Sequence, residues 1–128
     1  MNTQSQRERI TEYIKETYDT DPEYLWESDP KSAIFRHKGS KKWYALVMNI
    51  SKEKLGIKDS AFEDVLNVKC DPLMLGSLLM ENGFFPAYHM NKNSWVSVIL
   101  DNSVPDDKIC FLIGLSYNSV TPKRKRKA

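Results

Sequence analysis

Few residues in this 128-residue chain are of a type that does covalent or metal chemistry. Two histidines, His37 and His89, fall near the turns of different predicted hairpins. Two cysteines, Cys70 and Cys110, stand far apart, beside Val68 and beside Phe111-Leu112. Structural zinc needs four donors with close paired spacing, which this set does not offer. Isolated cysteines in apolar settings are expected as buried free thiols in a reducing compartment. Asp106-Asp107 follows Pro105, in the first turn of a predicted helix, where the helix dipole favours negative charge. There is no Gly-rich phosphate loop, no G-x-S-x-G and no H-E-x-x-H. No catalytic residue, metal site or cofactor is therefore expected, and the chain reads as one that binds.

Two predicted hairpin tips offer binding chemistry. The first carries Lys38, Lys41 and Lys42, followed by Trp43. The second carries His89, Asn91, Lys92 and Asn93, followed by Trp95. Cations on a narrow hairpin can track a phosphate backbone, Asn can read a base edge, and an indole can stack on an exposed base. The plainer reading is that Lys and Asn are ordinary turn residues and Trp an ordinary strand residue.

The elements that must carry these tips are legible. Ser5-Gln6-Arg7-Glu8 fits a capping box, and Ile10, Tyr13, Ile14 and Tyr18 form one stripe of a helix ended by Asp21-Pro22. Residues 33–37 and 43–48 read as a hairpin around Gly39. Residues 65–70 alternate, with Leu66, Val68 and Cys70 on one face and Asn67 and Lys69 on the other. Asp71 as N-cap and Pro72 at the first position open a second helix, stopped by Asn82-Gly83, with Met74, Leu75, Leu78 and Leu79 facing the core. Residues 84–89 and 94–100 read as strands. Pro105 opens a last helix with Ile109, Leu112 and Ile113 as its stripe. The expectation is a two-layer α+β fold, a five-stranded antiparallel sheet covered by helices, in the order α-β(3)-α-β(2)-α. One domain spans 1–120, and 121–128 reads as a disordered basic tail.

Charge is unevenly placed. The formal net charge is +2, from 19 Lys+Arg and 17 Asp+Glu. Without the five basic residues 123–127 the balance is −3, so overall charge does not argue for nucleic acid. Residues 31–58 hold eight basic residues against Glu53, whereas the segment before them is acidic. No leader peptide opens the chain and no apolar run approaches membrane-spanning length, so a cytoplasmic location is expected.

Pro86-Ala87-Tyr88-His89-Met90-Asn91-Lys92-Asn93-Ser94-Trp95 closely resembles the P-x-Y-H-M-N-K-x-x-W stretch of the MmcQ/YjbR-like family. Phe35-Arg36, Lys42 to Met48, Leu66 to Pro72, Val104 to Asp106 and Leu115 to Tyr117 resemble further family segments in the right order. The likeness runs from about Trp26 to Val120. Asn93-Ser94 departs from the bulkier, His-containing pair common there. The resemblance implies a fold similar to that of secretion chaperones and a double-wing, DNA-binding role. It carries over Arg36, Lys42, Trp43, Lys69, Tyr88, His89, Met90, Asn91, Lys92 and Trp95. The leading expectation is duplex DNA held by two basic hairpin wings, mostly through phosphates, with Lys38 and Lys41 adding to these residues. Two alternatives stand beside it. One is a protein-binding or self-associating adaptor, using the uncovered sheet face with Trp43 and Trp95 as anchors. The other is a small-ligand domain with a cleft near His89.

Overall fold

The computed structural model describes residues 4–123. The elements run α1 Gln6–Tyr18, β1 Ala33–Arg36, β2 Trp43–Ser51, β3 Phe62–Lys69, α2 Pro72–Leu78, β4 Phe84–Pro86, β5 Trp95–Ile99 and α3 Asp106–Ser119, with one turn of 3-10 helix at Lys52–Leu55. This is the α-β(3)-α-β(2)-α order expected. All neighbouring strands pair antiparallel, in the order β1-β2-β3-β5-β4. Among the described residues, no helix is long and apolar enough to cross a membrane.

The predicted caps form. The Ser5 hydroxyl accepts from the Glu8 N–H, and the Glu8 carboxylate accepts from the Ser5 N–H. The Asp71 carboxylate accepts from the Leu73 N–H, with Pro72 behind it. α1 and α3 cover one face of the sheet. Ile10 and Ile14 from α1 and Ile109, Leu112 and Ile113 from α3 are buried with Phe35, Val47, Leu66, Val68 and Val98. Buried Ser116 pins α3 down. Its hydroxyl donates to the Tyr44 carbonyl at 2.6 Å and accepts from the Lys69 N–H at 2.9 Å.

Several expectations need correcting. α2 has only seven residues, so one turn of its stripe faces inward. Leu78 is buried, Met74 and Leu75 are half-buried, and Leu79 is exposed. β4 ends at Pro86 instead of reaching His89, because the Tyr88 N–H leaves the ladder to donate to the Ser97 hydroxyl at 3.0 Å. β2 and β3 run longer than their apolar alternation. Their pairs Asn49–Asp64, Ile50–Glu63 and Ser51–Phe62 form an arm beyond the last β3–β5 pair, Val65–Ile99. Of the basic tail, residues 124–128 lie outside the described ones. Thr121 and Pro122 stay with the domain: the Thr121 hydroxyl donates to the Tyr117 carbonyl, and Pro122 lies against Gly39.

The second face of the sheet is not left open. Buried Asn67 and Ser97 stand on it, and the 87–94 segment folds back over them. The Asn67 amide donates to the Tyr88 carbonyl at 2.9 Å and accepts from the Ser97 hydroxyl. Tyr88 and Met90 pack on Ile34, Leu46 and Met48, which make a second, smaller apolar cluster. From the other side, residues 19–32 cross the sheet edge, tied to β1 by paired Glu23–Ile34 backbone hydrogen bonds of 2.9 Å.

Candidate functional site

The pairing of β1 with β2 contains a fault that matters for the site. Phe35 pairs with Ala45, but Arg36 pairs with Trp43, so Tyr44 is an extra residue on β2. A bulge of this kind re-aims the side chains before it. Tyr44 turns to the helix face, where it meets the rings of Tyr18 and Tyr117 edge-on. Trp43 thereby joins Leu46 and Met48 on the second face. Without the bulge, strict alternation would send Trp43 to the helix side.

On the second face Trp43 meets Trp26. Their ring centroids are 5.9 Å apart and their planes stand at 86°. The two indoles wall a half-open cleft of about 300 Å³, floored by Leu46 and Met48 and rimmed by Ser28, Asp29, Ser32, His89 and Met90. His89 sits there in the left-handed region, at φ 61°, which non-glycine residues seldom adopt. Its ring lies against Tyr88 at 3.8 Å. The turn carrying Asp29 is closed by the Ser32 hydroxyl donating to the Asp29 carboxylate, while Ser32 itself is buried.

The predicted wings are less free than expected. Arg36 forks onto the Glu23 carboxylate at 3.1 and 3.4 Å, and Lys38 reaches Asp19 at 2.7 Å. The first turn is held from inside by His37. Its Nδ1 accepts from the Gly39 and Ser40 N–H groups, which leaves Nε2 to donate to the Thr121 hydroxyl. His37 is therefore structural. The second tip is no projecting wing, since 87–94 lies along the sheet. Asn91 accepts from the Asn93 N–H in a local turn, and Trp95 is 7% exposed. The adaptor surface expected on an open sheet face is thus largely occupied by the chain itself. Lys69 is half-buried at the end of β3, and Tyr88 is half-buried against the second cluster.

Arg36–Trp43 and Lys69–Trp95 are both end pairs on the same side of the sheet, so the 37–42 turn and the 87–94 loop leave from one end. Exposed Lys41, Lys42 and Lys92 belong to these loops, and no carboxylate pairs with them among the described residues. Exposed Lys123 follows Pro122 at that same end.

The sequence offered His89 for a cleft and gave Trp43 and Met90 a place among the residues of the expected wings, while Trp26, Leu46, Met48 and Asp29 were not singled out. Trp26 was detectable only as an aromatic in a polar connector. A larger hollow, about 680 Å³, lies between α2 and α3 against Met74, Leu112 and Leu115. Its carboxylate, Asp71, is committed to the helix cap, and Lys69, Ser94 and Ser119 supply the rest of its polar lining.

The described residues form a two-layer α+β domain, and among them no cluster of three or more metal-ligating side chains occurs. The chain belongs to the YjbR family, whose model matches residues 15–119. It is 41% identical over 112 residues to the uncharacterised protein YyaQ of Bacillus subtilis, covering 88% of this chain and 95% of that one. Uncharacterised YjbR of Escherichia coli is 42% identical over 45 residues, 33% of this chain and 38% of that protein. A crystal structure of a Pseudomonas syringae protein superposes with a TM-score of 0.88 at 40% identity, covering 94% of this chain and all of that one. A Deinococcus radiodurans protein shares the fold at a TM-score of 0.65 and 24% identity, over 88% of this chain and 78% of that one.

Proposed function

We propose that this chain is a small-ligand-binding domain whose site is the cleft between Trp26, Trp43 and the 87–94 loop. One convergence supports the reading. The Tyr44 bulge, the left-handed backbone of His89 and the Glu23–Ile34 bridge are separate departures from regular structure, and each sets one wall of the same hollow. Irregularities of this kind concentrate where a ligand must be met. A mostly apolar cleft with a few polar groups on its rim is the usual form of a small-molecule site.

The test is a thermal-shift screen of small amphiphilic molecules. A ligand present at a hundred times its Kd adds about 2.7 kcal/mol, which is several degrees for a domain of this size. The shift should vanish in Trp26→Ala, whose ring is already partly in solvent, while the ligand-free Tm stays close to the parent's. Shifts that survive this substitution would place the ligand elsewhere.

Nucleic-acid binding is the second reading, favoured by Lys41, Lys42, Lys92 and Lys123 at one end of the sheet. Against it, Arg36 and Lys38 are already paired with carboxylates, and the chain without residues 123–127 carries net negative charge.

A further inference from the structure

We propose that the cleft takes an alkylammonium group, a positive nitrogen carrying methyl or methylene substituents. The inference rests on reading the cleft as a ligand site and adds the charge of the ligand.

The two indoles stand in edge-to-face contact at 86°, so a group lodged beside that contact meets the electron-rich face of one ring and the part of the other's face that the contact leaves uncovered. Right-angled aromatic walls of this kind favour quaternary and methylated ammonium ions, whose diffuse charge is attracted to the ring faces. The floor and far wall add the thioethers of Met48 and Met90, which are polarisable and accept methyl groups without requiring hydrogen bonds. Among the described residues no Lys or Arg lines the cleft, and the one carboxylate in its lining is Asp29. One Asp29 oxygen accepts from the Ser32 hydroxyl, and no donor among the described residues is on the other. In residues 19–30, which supply Trp26, Asp19, Asp21 and Glu23 are paired with Lys15, Lys38 and Arg36, which leaves Glu27 and Asp29 beside the indole in sequence. An anion would meet the Asp29 carboxylate with no cation among the described lining residues to hold it. A neutral apolar group would fit the rings but gain nothing from the charge of Asp29. A volume of about 300 Å³ accommodates a trimethylammonium group with a short chain.

The same group occurs on free small cations such as choline, on trimethylated lysine and on phosphatidylcholine headgroups. The experiment follows the indole N–H signals of Trp26 and Trp43 by NMR in the full chain. Choline is titrated against its uncharged isostere, in which a tert-butyl group replaces the trimethylammonium. Choline should shift both signals saturably, with a Kd at least tenfold below that of the isostere. Asp29→Asn, which preserves the acceptor for Ser32, should weaken choline severalfold and leave the isostere unchanged. Trp26→Ala should remove choline binding. Parallel arms with a trimethyllysine peptide and with phosphatidylcholine vesicles assign the source: tighter binding in one arm names it, and no gain in either leaves the free cation. If the isostere binds as well as choline, the charge inference is overturned while the ligand cleft stands. If neither probe moves the indoles while another ligand passes the Trp26→Ala thermal-shift test, the ammonium inference alone is overturned. If nothing engages the cleft, both readings fall.

Discussion

Asn67 has no exposed surface and uses both ends of its amide to hold the 87–94 loop on the sheet. Replacing it with Leu keeps the volume but strands the Tyr88 carbonyl and removes the Ser97 hydroxyl's acceptor. Leaving buried polar groups unsatisfied costs about 1–3 kcal/mol each. Asn67→Leu should therefore lower the urea midpoint by that order, and amide exchange should rise at residues 87–94. An unchanged midpoint would mean that the loop is held by Tyr88 and Met90 packing alone. Tyr44 gives a pH test. Burial, slightly relieved by Thr20, pushes its phenol up to about 12, and burial likewise raises Tyr18. An acid whose pKa rises on folding lends stability that is complete below its unfolded pKa and is lost as pH climbs to the folded value. Stability should hold to about pH 10 and fall from there towards 12, with phenolate absorbance appearing as the chain unfolds. Tyr44→Phe should soften that fall.

The joint between α1 and α3 depends on Gln6, buried at the start of α1. Its amide donates to the Val104 carbonyl at 2.7 Å and to Asp106 at 2.9 Å, and its oxygen accepts from the Asn102 N–H at 2.9 Å. Gln6→Ala should cost roughly 1–3 kcal/mol, read as a shift in the unfolding midpoint at constant m-value. Arg9 at 2.8 Å holds the Asp106 carboxyl below its usual range, with Gln6 helping. That contribution is present at neutral pH and lost as pH falls through the lowered pKa. At this scale much was legible from the chain. Ser5, Asp71 and Pro72 mark helix starts because caps are local chemistry, and the Leu66-Val68-Cys70 alternation marks a face because a strand has a period of two. The bulge at Tyr44 was not legible, since Trp43-Tyr44-Ala45-Leu46 reads as uninterrupted strand whether or not a residue is looped out. Nor was the fold-back of 87–94. Its determinant is a side-chain network between Asn67 on β3 and Ser97 on β5, thirty residues apart. Trp26 depends on a segment crossing the sheet edge through a single bridge, which leaves no periodic trace. Half of the cleft was visible as isolated residues, and the geometry that joins them was not.

Charge is a property of the whole molecule, and here it divides into an acidic domain and a basic end. Fluorescence anisotropy with duplex DNA across a salt series separates them. The full chain should bind at low salt and release steeply as salt rises. A chain ending at Pro122 should not bind measurably, because Arg36 and Lys38 are engaged by Glu23 and Asp19. The most direct measurement is an NMR comparison on the full chain near physiological salt, with the small-molecule hits in one titration and duplex DNA in another. The account predicts that the small molecules shift the Trp26 and Trp43 indoles and the His89 amide, while DNA leaves them in place. Saturable DNA-induced shifts at Lys41, Lys42, Asn91 and Lys92, with the cleft signals unmoved by any small molecule, would contradict it.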